Sequence, residues 1–208
     1  MLKKYWKTLL VTSLVTLLPI VFGLLLWQQL PEEVPFHWNV HGEVDGWCSR
    51  VFFVYFLPLI MLAFHWFCIF ITSADPKKAG IKAQQLVFWL IPILNLALSA
   101  FVYMSALGHS AQIEVFLPLI LGLLFVIIGN YMPKCQQNHS IGYKLPWTLN
   151  SEENWNKTHR FAGWLMVGGG FVIIATSILG IIWLPLVILA IMAIVPIIYS
   201  YLLHKKGI

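Results

Sequence analysis

The sequence predicts an all-α integral membrane protein with six transmembrane helices and both termini on the cytoplasmic side. Three observations carry this. The 208 residues are 60% hydrophobic and only 10% charged, whereas a soluble domain is about a quarter charged. Six apolar runs are each long enough to cross a hydrocarbon core, which takes roughly 20 helical residues. Finally, Lys and Arg are placed very unevenly between the connections. Lipid offers no partner for backbone polar groups, so helices are the element expected for such runs. We read the whole chain, 1–208, as a single membrane domain.

The first span covers about 8–28. Lys3, Lys4 and Lys7 precede it, as in a signal peptide. The apolar run is longer than a signal core of about 7–15 residues and no small-x-small cleavage site follows, so an uncleaved anchor is expected. The second span covers about 51–72 and carries His65. The third, about 85–107, carries Asn95 three residues after Pro92. Polar groups at this depth are costly, and interhelical hydrogen bonds are the expected use. Pro92 predicts a kink whose freed carbonyl Asn95 would satisfy. The fourth span, about 113–132, follows through a tight connection from Gly108 to Gln112.

From Phe161 to Leu203 there is no charged residue. Gly180, Trp183 and Pro185 supply a turn, which divides this run into spans at about 161–181 and 184–203. Gly168, Gly169 and Gly170 predict close helix approach or a hinge within a moving element, Trp164 to Gly170. With the N-terminus inside, twelve of the thirteen basic residues are cytoplasmic and only Arg50 is outside, beside Glu32, Glu33, Glu43, Asp45 and Glu114. That is the asymmetry of a positive-inside protein. Cys48, Cys68 and Cys135 make no disulfide framework.

Two polar segments remain. The extracytoplasmic loop, 29–50, contains PEEVPFHWNVHGEVDGW. His37, His41 and Asp45 recur every fourth residue, which invites a metal site. Pro35, Gly42 and Gly46 argue against a regular helix there, and Asp45-Gly46 is a turn signal. The loop therefore reads as an acidic connector anchored by Trp38 and Trp47, as a peptide- or ligand-binding site, or as a metal site.

The cytoplasmic loop, 133–160, contains NHSIGYKLPWTL at 138–149. Pro133 ends the fourth span, and Gly142 and Pro146 punctuate a compact turn. Asn150 and Glu153 predict a capping box with a helix from about Ser151. On that helix Trp155 and His159 share a face. Trp147, Trp155 and Trp164 fit an interfacial aromatic belt. The loop reads as a packed cap on the bundle, as a partner-binding surface, or as a hydrolytic site built on Thr148, Ser151 and His159. No carboxylate or oxyanion-hole motif accompanies that last set.

The two blocks together resemble the SdpI family. PFHWNVHGEVDGW is similar to its extracytoplasmic signature, on Pro35, His37, Asn39, Gly42, Asp45 and Gly46. The cytoplasmic signature maps onto Asn130, Asn138, Gly142, Pro146, Trp147, Thr148, Trp155, Thr158, His159 and Gly163. Lys144 stands where the family pattern usually has Arg, which alone makes planar bidentate contacts.

The resemblance implies a bacterial cytoplasmic-membrane immunity protein, non-enzymatic and without a cofactor. Such a protein confers resistance to a secreted antimicrobial peptide toxin. It can also signal by holding a transcriptional repressor at the membrane, with no direct contact to nucleic acid. On that basis His37, Asn39, Gly42, Asp45 and Gly46 are expected to meet the toxin. Lys144, Trp147, Trp155 and the rest of the cytoplasmic block are expected to dock a partner or lock the bundle. Two other classes stay open: a metal-dependent membrane protein or enzyme using His37, His41 and Asp45, and a small peptide transporter. No carboxylate sits mid-membrane, which weakens proton-coupled transport.

Overall fold

A computed structural model describes residues 4–39, 41–109, 112–179, 181 and 183–208. The helices are α1 (Trp6–Leu25), α2 (Leu57–Ala74), α3 (Ile81–Ala106), α4 (Ile113–Tyr131), a short α5 (Pro146–Asn150), α6 (Glu152–Leu179) and α7 (Leu184–Lys205). A π-helical turn, Phe52–Phe56, leads into α2, and a 3₁₀ turn, Met132–Lys134, follows α4. Six of the helices are long and apolar enough to cross a membrane. Gly180, expected in the last turn, lies outside the described residues, as do Lys3, Ser110 and Ala111.

The segment after α1 forms no helix, as Pro35, Gly42 and Gly46 lead one to expect; it is an antiparallel hairpin of β1 (Glu33–Trp38) and β2 (Val44–Ser49). Pro35 is tolerated because a two-stranded ribbon consists only of edges.

The chain forms two compact units. The first comprises Met1–Ser73 and Val87–Ile113, the second Ala74–Leu86 and Glu114–Ile208. Helix α3 is thus shared along its length.

The first unit has an inverted helix pattern. Helix α1 buries Thr12, Ser13, Thr16, Pro19 and Gly23, while Leu10, Leu14, Val21 and Leu25 are exposed. Polar groups inside and apolar groups outside is the arrangement that lipid selects. The buried groups are paired across helices. Thr12 Oγ1 lies 3.0 Å from His65 Nε2, and Trp66 Nε1 donates to Ser13 Oγ at 3.0 Å. Asn95 Nδ2 donates to the Thr16 carbonyl at 2.9 Å, so it serves α1 rather than a carbonyl freed by Pro92 on its own helix. Tyr103 donates to the Pro19 carbonyl at 2.8 Å.

The second unit rests on two reciprocal glycine contacts between α4 and α6. A Cβ on Gly129 would lie 2.7 Å from the Gly163 carbonyl, and a Cβ on Gly163 would lie 2.7 Å from the Gly129 carbonyl. One heptad away, Gly122 and Gly170 repeat the relation at 2.6 and 2.7 Å. Helix backbones meet this closely only where side chains are absent. Of the predicted Gly168–Gly170 run, Gly170 faces α4 and Gly169 faces Met192 on α7, while Gly168 has nothing within 4 Å.

Candidate functional sites

The hairpin is built by its own turn. Asn39 Oδ1 accepts from the backbone N–H groups of His41 (2.8 Å) and Glu43 (3.1 Å), and Asn39 Nδ2 donates to Glu43 Oε2 at 3.0 Å. The side chain mimics backbone and holds the reversal. Gly42 takes φ 74°, a left-handed conformation open to glycine. The pairing is irregular between Pro35 and Trp38. There His37 crosses Gly46, where a Cβ would lie only 2.9 Å from His37 Cβ.

That crossing brings His37 Nδ1 to 2.5 Å from Asp45 Oδ1, with the two side chains 71% and 44% exposed. The predicted residues His37, Asn39, Gly42, Asp45 and Gly46 therefore assemble into one feature. His41 sits in the turn and does not join the pair as a third ligand. Among the described residues no group of three His, Cys, Asp or Glu stands at metal-binding spacing.

Arg50 anchors the hairpin base. Its Nη1 donates to the carbonyls of Trp27 and Leu30, both at 2.8 Å, and its guanidinium lies 4.3 Å from the Trp27 ring. It ties the turn that follows α1 to the end of the hairpin. Val34 and Leu30 are buried beneath. Phe36 and Trp47 remain exposed, so the hairpin presents aromatic and acidic groups together.

The second block, 130–160, is folded upon itself. Asn138 is fully buried. Its Nδ2 donates to the carbonyls of Gln136 (2.8 Å) and Ile141 (3.1 Å), and its Oδ1 accepts from the N–H groups of Ser140 (2.8 Å) and Ile141 (2.7 Å). Thr148 Oγ1 accepts from Leu145 N–H at 2.9 Å and donates to the Tyr143 carbonyl at 2.7 Å, which starts α5 after Pro146 at its first turn.

His159 Nδ1 donates to the Trp155 carbonyl at 2.8 Å, and its Nε2 accepts from Tyr143 N–H at 3.1 Å. Both ring nitrogens are thereby assigned. Gly142, at φ 111°, leaves the space that His159 Nε2 occupies. Trp155 Nε1 donates to the Cys135 carbonyl at 2.8 Å. Trp155 is fully buried, unlike the exposed Trp164, so it is a core residue and not part of an interfacial belt. Burial pushes the Cys135 thiol up to about 11, against the lowering effect of its Asn138 hydrogen bond.

Helix α6 begins one step later than the expected capping box. Ser151 Oγ, not Asn150, accepts from Asn154 N–H at 3.1 Å. Thr158 Oγ1 donates to Asn154 Oδ1 at 3.0 Å, and Asn154 Nδ2 donates to the carbonyls of Ser200 and Ile208 at 3.0 and 3.1 Å. Trp147 Nε1 donates to Ser200 Oγ at 2.9 Å and its ring stacks on His204. Thr148 and His159 both take part in the internal hydrogen bonds of this block. Asn130, Lys144 and Pro146 are exposed; Asn130 accepts from Lys134 Nζ at 3.3 Å.

Sequence reasoning missed Asp75. This carboxylate is 6% exposed. It accepts from Lys77 N–H (2.9 Å), His139 N–H (2.7 Å) and Ser140 Oγ (2.5 Å). Burial opposes its ionisation, but those hydrogen bonds prevail and hold its carboxyl below the ordinary value. The available signal was its position: it is the sole acidic residue between the second and third spans.

Comparison with known proteins adds three findings. Residues 134–200 match the SdpI/YfhL protein family, and residues 14–62 match a domain of unknown function, DUF1648. The chain is 28% identical over 206 residues to Immunity protein SdpI of Bacillus subtilis (strain 168), covering 96% of this chain and 97% of that protein. No solved structure matches. The resemblance read from the two polar blocks is borne out by these likenesses, and with its six membrane-capable helices the chain is a multi-pass protein of the bacterial cytoplasmic membrane.

Proposed function

We propose that the chain is an immunity protein that protects its host membrane from a secreted antimicrobial peptide, by recognition and not by catalysis. The observation that carries this is the likeness to Immunity protein SdpI along nearly the whole of both chains. The charge asymmetry supports both termini inside and the hairpin outside. The hairpin then offers what a cationic, apolar peptide would meet: Glu33, Glu43 and Asp45 beside exposed Phe36 and Trp47. Complementary charge speeds such an encounter, and the aromatic groups supply contact area. His37 holds the Asp45 carboxylate in place within this surface.

A finer reading concerns the cytoplasmic side. Holding a transcriptional repressor at the membrane would use the exposed positions of the second block. These include Lys134, Lys144, Lys157 and Arg160, which suit an acidic partner. The buried members Asn138, Thr148, Trp155, Thr158 and His159 would support that surface without touching the partner.

Survival tests the proposal. A sensitive bacterium expressing the chain is challenged with a panel of secreted membrane-active peptides. Protection against at least one peptide, lost in Asp45→Ala at equal membrane level, is the expected result. Protection unchanged in Asp45→Ala would remove the hairpin from the account.

A further inference from the structure

Residues 135–149 are held by bonds within the block and by bonds to α6 and α7: Cys135 to Trp155, Tyr143 to His159 and Met192, and Trp147 to Ser200. Asn138 and Thr148 satisfy their own neighbours, and Gln137 Nε2 donates to the carbonyls of Thr148 (2.8 Å) and Leu149 (3.0 Å). The inner part of this block, 136–141, also meets the segment after α2. Gln136 N–H donates to the Ala79 carbonyl at 3.1 Å, and Lys77 Nζ donates to Gln137 Oε1 at 3.0 Å. The strongest tie is Asp75, which takes His139 N–H and Ser140 Oγ on one oxygen. Behind this joint Ala79, Ala83, Cys135 and Trp155 form a buried apolar cluster, with Ile141 and Leu149 packed against it.

We propose that Asp75 is a latch: its carboxylate holds the 136–141 turn shut over Cys135 and Trp155, and its release opens that turn while 143–149 stays tied to α6 and α7. Hydrogen bonds to an ionised acceptor are the stronger kind. A buried carboxylate stripped of its donors is unstable, so the latch is either made or fully broken and solvated. Asp75 is the residue next after α2, and the helical stretch that ends there begins at Phe52, three residues after β2. The latch stands whether or not the hairpin meets a peptide.

Cys135 reports the opening, because the thiol is 4% exposed when the turn is shut. In full-length protein in lipid nanodiscs, Cys48→Ser and Cys68→Ser leave it as the single thiol. Its alkylation by a small maleimide is then timed. Asp75→Ala should speed the reaction about tenfold or more, the effect of losing a charged hydrogen bond. Ser140→Ala should give a smaller acceleration with an unchanged global unfolding midpoint. The double variant should react no faster than Asp75→Ala alone. If Asp75→Ala reacts at the wild-type rate, the latch is overturned. If Asp75→Ala fails to fold, Ser140→Ala decides: acceleration without loss of the unfolding midpoint supports the latch, and no acceleration, or acceleration matched by global destabilisation, overturns it.

Discussion

Trp155 and His159 stack with ring centroids 3.9 Å apart and planes 19° from parallel, and both are buried. The pair lies one helical turn apart on α6, and it is tied at both ends: Trp155 to Cys135, His159 to Tyr143. Residues that look like a site by family signature are here the internal frame of the second block.

Substitution at this frame should therefore cost stability first. Trp155→Ala should destabilise the protein by about 3–5 kcal/mol, as large aromatic truncations in cores do. His159→Phe keeps a ring against Trp155 but strands the Tyr143 N–H, which should cost about 1–3 kcal/mol. Denaturant unfolding in detergent micelles, followed by tryptophan fluorescence, measures both. Cellular protection in these variants should fall in step with membrane level.

Hairpin substitutions should behave in the opposite way. The His37–Asp45 pair is exposed on both sides, and exposed pairs contribute about 0–1 kcal/mol. Asp45→Ala should leave the unfolding midpoint nearly unchanged and abolish protection. Asn39→Ala removes the acceptor of two turn N–H groups and should loosen the hairpin. Faster hydrogen exchange at His41 and Glu43 would register that loosening.

The glycine pairs give a packing test. Gly163→Val places a side chain against the Gly129 carbonyl and the Pro133 ring. Overpacking of this kind costs about 1–3 kcal/mol or more. Gly168→Ala meets nothing within 4 Å. An alanine inside a helix should stabilise by about 0.5–1 kcal/mol relative to glycine. The two variants thus shift the unfolding midpoint in opposite directions.

Asp75 sets a pH dependence. Its folded-state value is depressed, so its contribution to stability is present above the unfolded value, about 3.9. It is lost as pH falls through the lower folded value. Amide exchange at His139 and Ser140 should stay slow down to pH 4 and accelerate below it, beyond the intrinsic pH trend. In Asp75→Asn that acid step should disappear.

Much of the architecture was legible because lipid writes a coarse code: long apolar runs, sparse charge and basic residues gathered on alternate connections. His65 and Asn95 stood out for the same reason, as polar residues in apolar surroundings. The hairpin was hidden because Pro35, Gly42 and Gly46 signal turns as strongly as the intervening residues signal strands, and the pairing irregularity near His37 breaks a simple alternation. Asp75 was hidden because its partners lie 64 and 65 residues away, a distance that no local pattern encodes. The glycine pairs were half visible. The spacing from Gly122 to Gly129 equals that from Gly163 to Gly170, but only packing reveals that the two sets face each other.

The central claim is that the hairpin recognises a peptide. The most direct measurement is binding of a labelled protective-panel peptide to the purified full chain in nanodiscs, for wild type and Asp45→Ala at equal folded fraction. The account predicts saturable binding to wild type that weakens at least about tenfold in Asp45→Ala, a loss of about 1.4 kcal/mol. Equal binding by both proteins, or protection in cells with no binding by wild type, would contradict it.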